Sequence, residues 1–325
     1  MYRIIQKKKI WFSFSSLLVV ASLVAFFGWG LSLGIDFTGG SLLEVKFAEP
    51  KTVGQISEAL SGVEIKGLTI QPTDQNGVIL RFQDTEEDKH QEVLKKLRAL
   101  AGDQVVEAPS VQAEDATGAQ VRVVTDADKA VAQSSLEELR YESVGPAIGK
   151  ELKRNAIYSI ILIVIGIIIY VAWAFRKVSR PVASWKYGVA GVISLFHDVI
   201  IVTGFFSWLG HFYNIEVNTP FVAALLTVFG YSIADTIVVF DRIRENLPKS
   251  HESFEDTINT SVNQTMVRSV ATSFTVLLTL LAIIIWGGDS IRYFALALFI
   301  GIFFGTYSSI FLASPLLTLF EKGRK

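Results

Sequence analysis

Six long apolar runs decide what this chain can fold into. Ile10–Leu33 is almost uncharged, and further runs follow at about 156–175, 187–208, 220–240, 270–286 and 293–320. A run of about 20 apolar residues matches the hydrocarbon thickness of a bilayer when helical. The mean hydropathy of +0.42 over 325 residues, half of them hydrophobic, agrees with a polytopic membrane protein. Residues 1–9 carry Arg3, Lys7, Lys8 and Lys9 ahead of the first run. That pattern also opens a signal peptide, but the run is longer than a signal core and no small-x-small cleavage site follows. It is read as an uncleaved first span.

Lys and Arg cluster in the loops of one side: Arg176, Lys177, Arg180 and Lys186, the segment Asp241–Arg268, and Lys322, Arg324 and Lys325. The positive-inside rule then places both termini in the cytoplasm and residues 34–150 outside, in the periplasm of a Gram-negative cell. Those residues hold 20 Asp and Glu against 12 Lys and Arg, a net of −8, whereas the rest of the chain is basic. The acidic domain and the lack of a basic patch exclude nucleic acid as a partner. The absence of cysteine excludes disulfides and thiolate ligands.

Within 34–150 the pattern predicts strands at Ser41–Phe47, Ile65–Gln71, Val78–Phe82 and Leu136–Val144. It predicts helices at Thr52–Leu60 and Thr85–Leu100, each N-capped by its threonine, and a turn at Asp74–Gly77. The order β-α-β-β-α-β is that of a ferredoxin-like α+β domain lying between the first two spans. Residues 101–135 interrupt it as an insertion. The remainder, 151–325, is a five-helix membrane domain.

Asp235 is the residue that most needs explaining, a carboxylate inside an apolar run. A charge at the centre of a membrane helix costs at least ~2.5–3.5 kcal/mol, and such residues face a bundle interior or a polar pathway. The alternative is a carboxylate near a helix end that reaches the interface. Arg268 opens the fifth span and, by its depth, is within reach of Asp235. An Asp–Arg pair of which one member takes up a proton is a workable relay; an ordinary positive-inside anchor is the other reading. His197 and Asp198 sit near the middle of the third span, where an imidazole beside a carboxylate suggests proton handling. Neighbours on a helix point ~100° apart, so the two are not expected to pair with each other. Thr236 adjoins Asp235. Thr272 and Ser273, Thr306, Ser308 and Ser309, and the pair Gly301 and Gly305 read first as helix packing.

Other matches fail. Gly145–Glu151 has the wrong spacing for a phosphate-binding loop. The sequons at Asn259 and Asn263 lie on the cytoplasmic side. The four histidines are too scattered for a metal site.

Several separated stretches together resemble one family. They are Gly34-Ile35-Asp36-Phe37-Thr38-Gly39-Gly40, Val144–Leu152, Leu195-Phe196-His197-Asp198, the Asp235–Asn246 stretch, Arg268 with Thr272-Ser273, and Gly305-Thr306-Tyr307-Ser308-Ser309. In this order they resemble the SecF family, the smaller half of the SecD–SecF pair of the bacterial Sec machinery. The likeness covers nearly the whole chain outside 101–135. One departure is Ala234, where the family usually has Asn before the membrane Asp.

The resemblance implies half of an RND-type bundle, completed by SecD, in the bacterial inner membrane. It implies partnership with SecD, with the SecYEG channel, with translocating preprotein and with other accessory membrane proteins of the Sec machinery. It implies no catalytic role and no cofactor. The coupling ion it implies is H⁺, in some relatives Na⁺, passing by Asp235 and Arg268; the reading of the residues themselves adds His197 and Asp198 to the pathway, with Thr236, Thr272 and Ser273 in support. Asp36, Thr38, Gly39 and Gly40 then form a hinge between the first span and the outer domain, whose acidic surface holds emerging, often basic, chain. Three other readings compete: a structural scaffold, half of a small-molecule RND exporter, and an intramembrane aspartyl protease.

Overall fold

A computed structural model describes residues 2–73, 76–83, 85–103, 135–174 and 182–321. The insertion at 104–134, Asp74 and Gln75 of the expected turn, and the basic residues Arg176, Lys177, Arg180, Lys322, Arg324 and Lys325 lie outside the described residues. The chain forms two compact units, Met1–Gly34 with Leu152–Lys325, and Ile35–Glu151.

The first span is α1 (Lys8–Trp29), and α2 (Ile35–Thr38) opens the α+β unit. Then come β1 (Gly40–Phe47), α3 (Val53–Leu60), β2 (Thr69–Pro72), β3 (Gly77–Phe82), α4 (Glu87–Ala101) and β4 (Leu136–Val144). The sheet order is β2-β3-β1-β4, with every neighbouring pair antiparallel. This is the split β-α-β arrangement expected of a ferredoxin-like domain.

Alternation explains the packing. Leu43, Val45 and Phe47 of β1 and Val78, Leu80 and Phe82 of β3 turn one face of the sheet inward. They meet Ile56 and Leu60 of α3 and Val93, Leu94 and Leu97 of α4 in a single core. Full burial of each large side chain stabilises by about 1.5–3 kcal/mol. Thr52 caps α3 as expected: its hydroxyl accepts from Gln55 N at 3.3 Å, and Gln55 Oε1 accepts from Thr52 N at 2.9 Å.

Thr85 does not cap α4. That helix starts at Glu87 with Glu86 at its N-cap, and the Thr85 carbonyl instead accepts from Ser143 Oγ at 3.3 Å. The first two residues after the cap, Glu87 and Asp88, place negative charge at the helix start in place of a hydroxyl cap. The second strand is shorter than expected and ends in Pro72, which an edge strand tolerates.

Among the described residues, six helices are long and apolar enough to cross a membrane. After α1 they are α5 (Pro146–Ala174), α6 (Ser184–Tyr213), α7 (Thr219–Asn246), α8 (Phe254–Trp286) and α9 (Asp289–Ser308), the last continued by a π-helical turn (Ser309–Ala313) and α10 (Ser314–Leu319). Several outrun their apolar cores. The charged stretch after Phe240 is mostly helix. Asp241–Asn246 extends α7, and α8 starts at Phe254 under a Ser253 cap that accepts from Asp256 N at 3.1 Å. Its first turns bury Phe254, Ile258 and Val262, so an amphipathic face sustains helix where no continuous apolar run exists.

The bundle has two apolar cores. One gathers Ile5, Tyr187, Phe240, Ile258 and Leu317, and the other Phe206, Phe221, Val228, Ala297 and Ile302. Gly301 and Gly305 act in packing, as their spacing suggests. A Cβ at Gly301 would lie 2.2 Å from Val228 Cγ2, and one at Gly305 3.1 Å from Ser232 Cβ. Small residues there let α9 approach α7 closely.

The asparagines of the two sequons have a structural role the sequence did not disclose. Asn259 Oδ1 accepts from Ile4 N at 2.9 Å and Ile5 N at 3.3 Å, and Asn263 Oδ1 accepts from Tyr2 N at 2.8 Å. They bind the backbone ahead of α1 to α8, and Lys8 adds an ion pair to Glu255 at 3.2 Å.

Candidate functional site: a carboxylate cluster inside the bundle

Several buried polar side chains of α6, α7 and α9 converge inside the bundle. Asp198 on α6 is fully buried. Its Oδ2 accepts from Ser232 Oγ on α7 at 2.6 Å and from Ser308 Oγ on α9 at 2.8 Å. Its Oδ1 lies 2.9 Å from His197 Nδ1. The expectation that adjacent His197 and Asp198 would not pair is therefore corrected. Nδ1 is the ring nitrogen nearer the backbone, and a short carboxylate beside it closes the angular gap. With Nδ1–H donating to an ionised Asp198, a neutral His197 presents Nε2 as an acceptor. That Nε2 is buried and has no hydrogen-bond partner among the described residues. The ring stacks at 6.2 Å on Tyr307, whose hydroxyl lies 3.2 Å from Ser15 Oγ.

Asp235, one helical turn beyond Ser232 on α7, is only partly buried. It accepts a short hydrogen bond from Ser309 Oγ. The two carboxylates are thus held by consecutive serines at the end of α9. No hydrogen bond joins them to each other among the described residues.

A second polar chain runs alongside. Tyr231 donates to Ser273 Oγ at 3.0 Å, and Ser273 lies 2.5 Å from Thr306 Oγ1. Thr236 is buried with its hydroxyl unpartnered among the described residues. Thr272 is exposed and bonds back to the Arg268 carbonyl at 2.9 Å, a local helix contact.

Arg268 is not brought to Asp235. It is exposed on α8 between Val267 and Val270, also exposed, and it forms no ion pair among the described residues. Ala234, in place of the family's usual Asn, is exposed too. A cationic group and the flank of the partly exposed Asp235 therefore lie open at the bundle's surface. Among the described residues no cluster of His, Asp and Glu is suited to a metal ion.

In the α+β unit, Gly39 and Gly40 have φ of +76° and +117°. A Cβ would lie 2.8 Å from Pro146 Cα at the first and 2.6 Å from the Phe82 carbonyl oxygen at the second. Both conformation and space therefore call for glycine. Asp36 and Thr38 lie in α2 just before them, and Thr38 Oγ1 donates to the Gly39 carbonyl at 3.2 Å.

Sequence reasoning gave Ser308 and Ser309 to packing and passed over Ser232. The available signal was depth: these hydroxyls fall at the level of Asp198 and Asp235. Sequence alone shows the depth but not which faces converge.

The comparisons agree with this architecture. Residues 123–323 match the family model for "Protein export membrane protein SecD/SecF, C-terminal", and residues 24–51 match that for the "SecD/SecF GG Motif". The chain is 38% identical to the protein translocase subunit SecF of Thermobaculum terrenum, over 99% of this chain and 94% of that one. It is 36% identical to the SecF of Sebaldella termitidis over 99% of this chain and 93% of that one. The crystal structure of SecDF from Thermus thermophilus, described as a translocon-associated membrane protein, superposes with a TM-score of 0.77 at 32% identity. That match covers 98% of this chain and 38% of the SecDF chain, so this chain corresponds to a part of the larger protein. With its six apolar helices, its glycine pair and a buried carboxylate cluster in the bundle, this chain belongs to the SecF branch of the SecD/SecF family of protein export membrane proteins.

Proposed function

We propose that this chain is the SecF-type half of a SecD–SecF complex that uses the proton gradient to assist preprotein passage through the SecYEG channel. The observation that carries the reading is the asymmetry of the two carboxylates. Asp198 is sealed and bonded by Ser232, Ser308 and His197, whereas Asp235 is partly exposed, accepts from Ser309, and lies beside the exposed Ala234. A carboxylate in that position exchanges protons with a pathway on the bundle's surface, which the SecD half completes.

Proton uptake at Asp235 removes one charge from a helix interface and changes the preferred packing of the two half-bundles. Protonation then biases a two-state element. His197 and Asp198 fix the charge distribution behind it, and Thr236, Ser273 and Thr272 supply hydroxyls along the route. Asp36, Thr38, Gly39 and Gly40 serve as the joint through which the spans move the α+β domain. That domain lies in the periplasm, with both termini in the cytoplasm, and its acidic surface makes weak contact with emerging chain. No covalent chemistry is assigned, and the coupling ion is H⁺, with Na⁺ as the variant.

The competing protease reading requires two carboxylates sharing a water. Here each carboxylate has its own serine donor, and Asp198 is closed to substrate. A scaffold reading predicts that Asp235→Asn is silent. The test is proton entry into proteoliposomes holding this chain with its SecD partner, followed with an internal pH dye. Asp235→Asn should reduce gradient-driven entry at least tenfold. Unchanged entry would leave the scaffold reading in its place.

A further inference from the structure

We propose that the consecutive serines Ser308 and Ser309, with the π-turn they open, couple the protonation of Asp198 to that of Asp235. The inference rests on Asp235 being a proton site and adds the element that links it to the second carboxylate.

Each serine has one hydroxyl hydrogen and two acceptors within reach. Ser308 Oγ lies 2.8 Å from Asp198 Oδ2 and 3.1 Å from its own helix carbonyl, that of Gly305. Ser309 Oγ faces Asp235 Oδ2 and lies 3.0 Å from the Thr306 carbonyl. An ionised carboxylate holds the hydrogen, because a charged acceptor makes the stronger bond. A protonated carboxyl becomes a donor itself, and the serine hydrogen turns to the helix carbonyl. Two such choices made by adjacent residues share one backbone.

That backbone is at a place where two registers compete. Ser309–Ala313 is π-helical, between α9 and α10. Pro315 has no N–H for the Phe311 carbonyl four residues before it, and within the π-turn Ser314 Oγ donates to the Ser309 carbonyl at 2.9 Å. Single π-turns of this kind recur at functional sites. Drawing Ser308 back to Gly305 tightens the last α-helical turn and carries Ser309 with it. The close approach of Gly305 to Ser232, the other donor to Asp198, ties α7 to the same movement.

The titratable groups around the pair are His197 on α6, Tyr231 on α7 and Tyr307 on α9. His197 bonds Asp198, Tyr307 stacks on His197, and Tyr231 bonds Ser273. Arg268 on α8 forms no ion pair with either carboxylate.

The test is an infrared pH titration of the carboxyl bands of the full chain, reconstituted with its SecD partner. The Asp235 band is assigned by its loss in Asp235→Asn. Asp198→Asn should move the Asp235 midpoint by about one pH unit, the scale of interacting sites. In a Ser308→Ala background the same substitution should move it by less than half as much. Pro315→Ala touches neither carboxylate, lets a regular helix form, and should shrink the coupling in the same way. A shift that survives both backgrounds undiminished would be simple charge repulsion through space and would overturn the proposal, as would no shift at all. An Asp235 that titrates normally while coupling is absent counts against this inference alone. An Asp235 that never titrates overturns the proton reading and the coupling together.

Discussion

The α+β domain and the membrane bundle bury opposite kinds of side chain. In the domain, apolar residues of two strands and two helices close a core, and the polar residues lie around it. In the bundle, large apolar side chains such as Leu162, Val267, Phe274 and Trp286 face outward. Asp198, Ser232, Ser273, Ser308 and Ser309 are inside. The difference follows from the solvent. Water drives apolar surface inward, whereas a lipid environment gives it no such preference, and there the polar groups seek each other. Polar burial in the domain is thus an exception to be explained locally, while in the bundle it marks where the helices are held to one another.

The sharpest way to break this comparison is to truncate one apolar side chain in each region. Leu80→Ala in the domain core should cost about 2–5 kcal/mol, seen as a lowered denaturation midpoint of the full chain in detergent. Phe274→Ala, 57% exposed on α8, should leave that midpoint nearly unchanged. Equal losses would mean that the outward face of α8 is a packed interior.

Next in size is the loss of a polar donor in the bundle. Ser232→Ala leaves Asp198 with one serine donor fewer in a dry site. We expect a destabilisation of about 1–3 kcal/mol, measured by unfolding of the bundle in mixed micelles. A surface serine such as Ser61 should show no comparable effect.

Two smaller effects sharpen the picture of the domain. Thr52→Ala removes the capping box of α3 and should cost about 1 kcal/mol, checked by hydrogen exchange across that helix. Glu87 is held below the usual carboxylate range by its hydrogen bonds, first from Gln91 and then with His90. A lowered carboxylate contributes stability above its unfolded value of 4.5, and that contribution is lost as pH falls through the folded value. Glu87→Gln should therefore slightly lower the domain's melting midpoint at pH 7 and make no difference well below pH 4.5. The effect is small because Glu87 is exposed to solvent.

The same contrast explains what was legible beforehand. Strand alternation and the Thr52 cap are local signals, so the β-α-β-β-α-β order could be read directly. Six apolar runs sufficed for the bundle. The start of α4 was misplaced because Thr85 is a favoured capping residue just before an acidic first turn, whereas its carbonyl is bonded by Ser143 and the helix begins two residues later. The start of α8 was misplaced because charged residues hide an amphipathic face. At the site, Asp235, Asp198 and His197 stood out as ionisable groups among apolar neighbours. Their partners did not, since a serine in a membrane helix looks the same whether it packs, bonds its own backbone or holds a carboxylate. Arg268 shared a depth with Asp235, but depth carries no azimuth, and the two proved not to be joined.

The measurement that bears most directly on the bundle as the seat of function is export in inverted membrane vesicles carrying this chain and its SecD partner. A preprotein is stalled part-way, ATP is removed, and completion is followed with and without a proton gradient. The account predicts that Asp235→Asn abolishes gradient-dependent completion while the complex still assembles. Completion at the wild-type rate would show that the carboxylate only holds helices together, and that the bundle's polar interior is structural after all.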